Sequence, residues 1–180
     1  MGLRNRGQFA DYKCFFVTTT CKDHLHLFKN EFYFNVLYDS LKFVNEKYKA
    51  EIVAYVFMPN HIHLILFFEK ENRLSDYMRD FKKYTSTRIR QLIEIENRDE
   101  ILTAIRYKHR KQKFKIWEDR FDDLHLYTQK VLLIKLNYIH NNPVEKGWVK
   151  NSFDYKHSSA CFYHIEKKAP LPILHFGEIT

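Results

Sequence analysis

Apolar residues recur along this chain with two different periods. Phe32, Val36, Leu37, Leu41 and Val44 fall at helical spacing between residues 31 and 49. Between residues 73 and 96, Leu74, Met78, Phe81, Thr85, Ile89 and Leu92 recur at steps of three and four. Both segments predict helices with one apolar stripe. Residues 15–20, 51–58 and 61–68 are short runs rich in aromatic and β-branched side chains and predict strands. Pro59-Asn60, between the last two, is a turn signal short enough to force an antiparallel hairpin. A third helix is expected over 127–140, stopped by Asn141-Asn142-Pro143. The order strand, helix, hairpin, helix, helix predicts an α+β fold, an antiparallel sheet with helices packed mainly on one face.

The remaining stretches carry little apolar periodicity. Residues 97–115, including Lys108-His109-Arg110-Lys111-Gln112-Lys113, read as a helix end followed by a solvated basic connection. Pro170 and Pro172 mark residues 164–180 as an extended tail behind a domain covering 1–163. The longest fully apolar run, residues 52–58, is far short of the roughly 18 residues that a membrane span needs. No apolar core of a secretory signal follows Met1-Gly2-Leu3-Arg4-Asn5-Arg6.

Composition narrows the partner. The 180 residues are enough for one domain with a full core, and 45% hydrophobic content excludes a disordered chain. Thirty Lys and Arg against 22 Asp and Glu leave a net charge of +8, and Phe 16 and Tyr 12 make the chain rich in aromatic rings. Cations and exposed rings together suit phosphates and unpaired bases. Cys14, Cys21 and Cys161 form no CxxC pair, which argues against structural zinc and fits a reducing, cytoplasmic setting.

His61-Ile62-His63 is the sharpest chemical signal. Strand side chains alternate, so the two histidines share a face with α-carbons roughly 6.5–7 Å apart. Imidazoles at that spacing can converge on one divalent ion at about 2.0–2.2 Å, while Ile62, Leu64, Leu66 and Phe68 anchor the other face in the core. The alternative is two ordinary hairpin histidines. There is no HExxH helix, and His157-Ser158-Ser159 supplies only one of the two His-x-Ser elements of a two-histidine phosphoesterase. On the helix over 73–96, Tyr84 falls about 100° from the centre of the apolar stripe, on the flank of Tyr77, Arg88 and Gln91. A phenol, with a pKa of about 10, needs nearby cations or a metal to act as a nucleophile. Lys82, Lys83, Arg88 and Arg90 provide such a neighbourhood.

These residues carry a resemblance. The block from Phe57-Met58-Pro59-Asn60 through His61-Ile62-His63-Leu64-Ile65 resembles the HUH motif of the IS200-like, single-tyrosine transposases. Phe81-Lys82-Lys83-Tyr84-Thr85-Ser86-Thr87-Arg88 is similar to the helix that carries their catalytic tyrosine. Trp117-Glu118-Asp119-Arg120-Phe121 and Tyr138-Ile139-His140-Asn141-Asn142-Pro143, continuing to Trp148-Val149, resemble the C-terminal half of the REP-associated group. Tyr155-Lys156-His157-Ser158-Ser159-Ala160 is similar to the segment that follows there.

The resemblance implies a ferredoxin-like sheet with the HUH strand central, and Mg²⁺ or Mn²⁺ held by His61 and His63. It implies metal-dependent cleavage and rejoining of single-stranded DNA, with Tyr84 as the nucleophile forming a 5′-phosphotyrosine. DNA hairpins are the implied partner, and a monomer is favoured over a homodimer. Lys83, Arg88, Lys108, Arg110 and Lys111 are the candidate DNA-binding cations. In one respect the chain departs from the family. The third metal ligand, an Asn or Gln four residues after the tyrosine, would here be Arg88, which cannot ligate a cation and suits a phosphate instead. Gln91, seven residues on and on the same flank, could substitute, and water or a DNA phosphate could also complete the shell. That departure keeps open a catalytically impaired hairpin-binding protein as the alternative.

Overall fold

In the computed structural model, residues 13–69, 73–109 and 112–179 are described. Strand β1 (Lys13–Thr20) leads through a short loop into helix α1 (Glu31–Tyr48). The α1 N-terminus is capped by Asn30, whose side chain accepts a hydrogen bond from the Phe32 amide. Strands β2 (Ala50–Met58) and β3 (His61–Phe68) form the hairpin expected around Pro59-Asn60. Helix α2 (Leu74–Ile95) follows, then a short helix α3 (Asp99–Ala104). The stretch expected as a basic connection thus holds α3 and a small hairpin, β4 (Arg106–His109) and β5 (Gln112–Phe114). Strand β6 (Asp122–His125), helix α4 (Gln129–Glu145) and helix α5 (Ala160–Ile165) complete the chain's main elements.

The main sheet has the order β2-β3-β1-β6, and every neighbouring pair is antiparallel. The strand bearing His61 and His63 is therefore internal. Alternation along it builds two cores. Ile62, Leu64, Leu66 and Phe68 join Met78, Phe81, Ile89 and Ile93 of α2 and Leu37, Leu41 and Val44 of α1. Ile65 and Phe67 join Phe16, Val56 and Met58 with Leu132, Leu136 and Ile139 of α4. The two longest helices share one face, and α4 covers part of the other.

Helix α4 runs further than its sequence suggests. Asn141-Asn142-Pro143 does not stop it; the chain stays helical through Pro143 to Glu145. Proline in a helix interior removes one backbone hydrogen bond, a cost of roughly 3 kcal/mol. Here burial of Asn142 and Pro143 offsets that cost. The stop is instead Gly147, at φ 71°, where the Trp148 amide folds back to donate to the Pro143 carbonyl.

The outer edge of β2 is covered. Val56 bridges Ser158, the Phe57 amide donates to the His157 carbonyl, and the Leu174 amide donates to the Ile52 carbonyl. Residues beyond 163 thus lie against the sheet, and Leu171 is buried in the core. No helix among the described residues is long and apolar enough to cross a membrane.

Candidate active site

His61 and His63 point to the α4 side of the sheet, with ring centroids 4.8 Å apart. Thr18 stands directly across from His63 on β1, and its hydroxyl lies 2.8 Å from His63 Nδ1. His61 Nδ1 lies 2.7 Å from Asn60 Oδ1, an acceptor, so Nδ1 carries the proton and Nε2 keeps its lone pair. Burial, reinforced by the Lys146 ammonium, lowers the His61 pKa to about 4. Burial lowers His63 further, to about 3, with smaller contributions from His61 and Lys135. Both rings are neutral at physiological pH, the form that ligates a metal.

Helix α4 supplies the rest of the site. Lys135, Tyr138, Asn142 and Lys146 are spaced three, four and four apart, so they form one ridge on the helix. Tyr138 stands edge-on to His63, with ring centroids 5.2 Å apart. The Lys135 ammonium sits 5.4 Å from the centre of the Tyr138 ring. Asn142 Nδ2 lies 3.4 Å from His63 Nε2. Asn142 Oδ1 is buried with no hydrogen-bond partner. Among the described residues no cluster of three His, Cys, Asp or Glu side chains could hold a metal. The set is instead two imidazole nitrogens and one orphaned amide oxygen, all lone-pair donors suited to a divalent ion. Around them is a cavity of about 440 Å³, which His24, His26, Tyr138, Lys146 and Trp148 also line.

On the α4 side of the sheet, an HxH strand thus faces a tyrosine and an asparagine one helical turn apart. Residues 10–142 match the family described as Transposase IS200 like. The chain belongs to the IS200-like transposases. A REP-associated tyrosine transposase from Haemophilus influenzae is 27% identical over 169 residues, spanning 92% of this chain and 88% of its own. The solved structure of a REP-associated tyrosine transposase bound to a REP hairpin matches with a TM-score of 0.63 at 24% identity. That match covers 93% of this chain and 87% of the other, and it establishes the common fold.

In this IS200-like transposase, Tyr84 is not brought to the histidines. Helix α2 buries its apolar stripe against the face that carries Ile62 and Leu64, so the sheet lies between Tyr84 and His63. Tyr84 is 45% exposed and lines a separate surface cavity with Phe43, Asp80, Lys83, Arg88 and Gln91. Arg88 donates to Gln91 Oε1 at 2.9 Å, so neither is available to the histidine site. Tyr77, assigned to the same flank, is buried and donates to Asn45 Oδ1. Lys83 and Arg88 are exposed on this remote side. Lys108 lies in β4, whereas Arg110 and Lys111 fall outside the described residues. His157, stacked on Phe34 at 3.6 Å, belongs to the packing under the β2 edge.

The structure sets Tyr138 and Asn142 beside the histidines, where the sequence reading gave them no functional role. Their signal was present, because Asn142 stands four residues after Tyr138, the spacing that failed at Tyr84 and Arg88.

Proposed function

We propose that this IS200-like transposase cleaves and rejoins single-stranded DNA with Tyr138 as the nucleophile. The observation that carries this reading is the position of the Tyr138 ring, 5.2 Å from that of His63 and on one helix flank with Asn142. His61 and His63 would hold Mg²⁺ or Mn²⁺ through their Nε2 atoms, with Asn142 Oδ1 as third ligand. When bound, the ion supplies Lewis-acid polarisation of the scissile phosphate.

Tyr138 Oη attacks phosphorus, the bond to the 3′-oxygen breaks, and the phenolic proton passes to solvent. The leaving 3′-oxygen takes up a proton to become a free hydroxyl, and the 5′-phosphate stays on Tyr138. A 3′-hydroxyl then attacks that phosphotyrosine and restores the phenol. One phosphoester bond replaces another at each step, so no nucleotide cofactor is consumed. Lys135 and Lys146 flank the cavity and offset the charge of the incoming backbone.

A DNA hairpin is the partner we assign, supported by the net charge of +8 and by the hairpin held by the structural relative. Arg88, which motivated the non-catalytic alternative, does not stand beside Tyr138.

A covalent-adduct assay tests the reading. The protein is mixed with a random-sequence single-stranded DNA pool and Mn²⁺, then denatured, and attached DNA is measured. The adduct is expected to disappear in Tyr138→Phe and His61→Ala and to persist in Tyr84→Phe. An adduct that survives Tyr138→Phe would identify another nucleophile.

A further inference from the structure

The cavity beside Tyr138 has a wall that the reaction above leaves unused. Trp148 lines it together with His61 and His63, and its side chain is 43% exposed. The ring is held from behind. Gly147, at φ 71°, turns the chain at the end of α4, and the Trp148 amide donates to the Pro143 carbonyl at 3.0 Å. Tyr155 packs against the indole, with ring centroids 5.9 Å apart and planes tilted by 50°. The Tyr155 hydroxyl is itself fixed on the Phe57 carbonyl at 2.8 Å. A large flat ring is thereby held in place while part of its surface stays open to the cavity, so little entropy is lost when something stacks on it.

Its neighbour defines the chemistry. Lys146 lines the same cavity, beside His61 and Trp148. A fixed aromatic face beside a cation is the combination that binds single-stranded nucleic acid, with the ring taking a base and the ammonium taking the backbone. The volume, about 440 Å³, lies in the range of sites that enclose a small ligand. Phe43 and Tyr84, also exposed, line the cavity on the opposite side of the sheet and cannot serve this site.

We propose that Trp148 is the stacking platform for an unpaired base adjoining the scissile phosphate, with Lys146 on the neighbouring backbone phosphate. The proposal rests on the DNA-cleavage reading of the same cavity, and Trp148 acts as a positioning residue.

Fluorescence tests it directly, because the chain has two tryptophans and the other, Trp117, is 3% exposed and packed against α2. Titration with a random-sequence single-stranded DNA pool should quench Trp148. Trp148→Ala should weaken binding about five- to a hundredfold. Trp148→Phe should retain most of the affinity, and Trp148→Leu, which keeps an apolar side chain without a π face, should not. Once the cleavage site is mapped from the adduct, an abasic nucleotide beside it should cost the wild type as much as Trp148→Ala does. The two changes together should cost no more than either alone. Absence of quenching, full affinity in Trp148→Ala, or additive losses would overturn the stacking role. Quenching with no covalent adduct in the wild type would instead overturn the cleavage reading and leave the base subsite standing.

Discussion

Around His63, three side chains fix one ring: Phe16 stacks on it at 5.5 Å, Tyr138 meets it edge-on, and Thr18 bonds its Nδ1. In a metal site of the kind proposed, a partner on the outer nitrogen sets which nitrogen would face the ion, and losing such a partner typically costs 10–100-fold in metal affinity. Thr18→Val keeps the shape and removes the bond. It should therefore weaken Mn²⁺ binding by about that factor in calorimetric titration, and unchanged affinity would show that Thr18 does not orient the ring. Burial also gives the histidines a collective pH signature. His61 and His157 are lowered to about 4, and His63 and His140 to about 3, from an ordinary value of 6.5. Below pH 6.5 the unfolded chain therefore binds more protons than the folded one. The stability in question is present above pH 6.5 and is lost as pH falls towards the folded values. Each group contributes a slope approaching about 1.4 kcal/mol per pH unit. Carboxylates such as Asp80, lowered to about 2, act only in more acidic solution. Urea unfolding at pH 7 and pH 5 should show a clear loss, reduced in His157→Gln; equal stability at the two pH values would refute it.

Helix α4 shows how one element can decide what is readable. Ending it at residue 140, as Asn-Asn-Pro suggests, places Tyr138 and Asn142 on different elements and hides their one-turn relationship. Burial of Asn142 and Pro143, a tertiary contribution, carries the helix on to Glu145. The stop at Gly147 gives a direct test. A β-carbon there meets nothing within 4 Å, so Gly147→Ala encounters only the strain of a positive φ. That strain should cost about 1 kcal/mol and lower Tm by roughly 2–4 °C in a scanning calorimeter. A Tm unchanged to within a degree or so would mean that the cap relaxes freely. On the other side of the sheet, the Trp117 indole N–H donates to the Thr85 hydroxyl at 2.9 Å and ties α2 to the segment before β6. Thr85→Val leaves that buried donor unpaired, at an expected cost of about 1–3 kcal/mol in chemical denaturation. A neutral result would mean that the indole finds another acceptor.

For the molecule as a whole, much of the fold was legible and the site only in half. Alternation gave the hairpin and the paired histidines, and helical periodicity gave α1 and α2, because each signal is local. A helical stripe says that a helix packs on a sheet without saying on which face. Placing Tyr84 correctly at the edge of its stripe therefore could not reveal that it sits behind the sheet from His63. The short strands β4, β5 and β6 were also missed: β6 pairs with the distant β1, and β4 and β5, four and three residues long, are too short to show an alternating pattern. The two-faced strand β3 has a consequence for how this protein can change over generations. Point substitutions alter one face at a time and leave the other intact. Removal of a single codon inside β3 exchanges the faces beyond it, turning histidine into the oily layer and isoleucine or leucine towards the cavity. Lineages of this gene should accordingly tolerate insertions and deletions in surface loops far more often than within residues 61–68, where one lost codon would abolish folding and chemistry together.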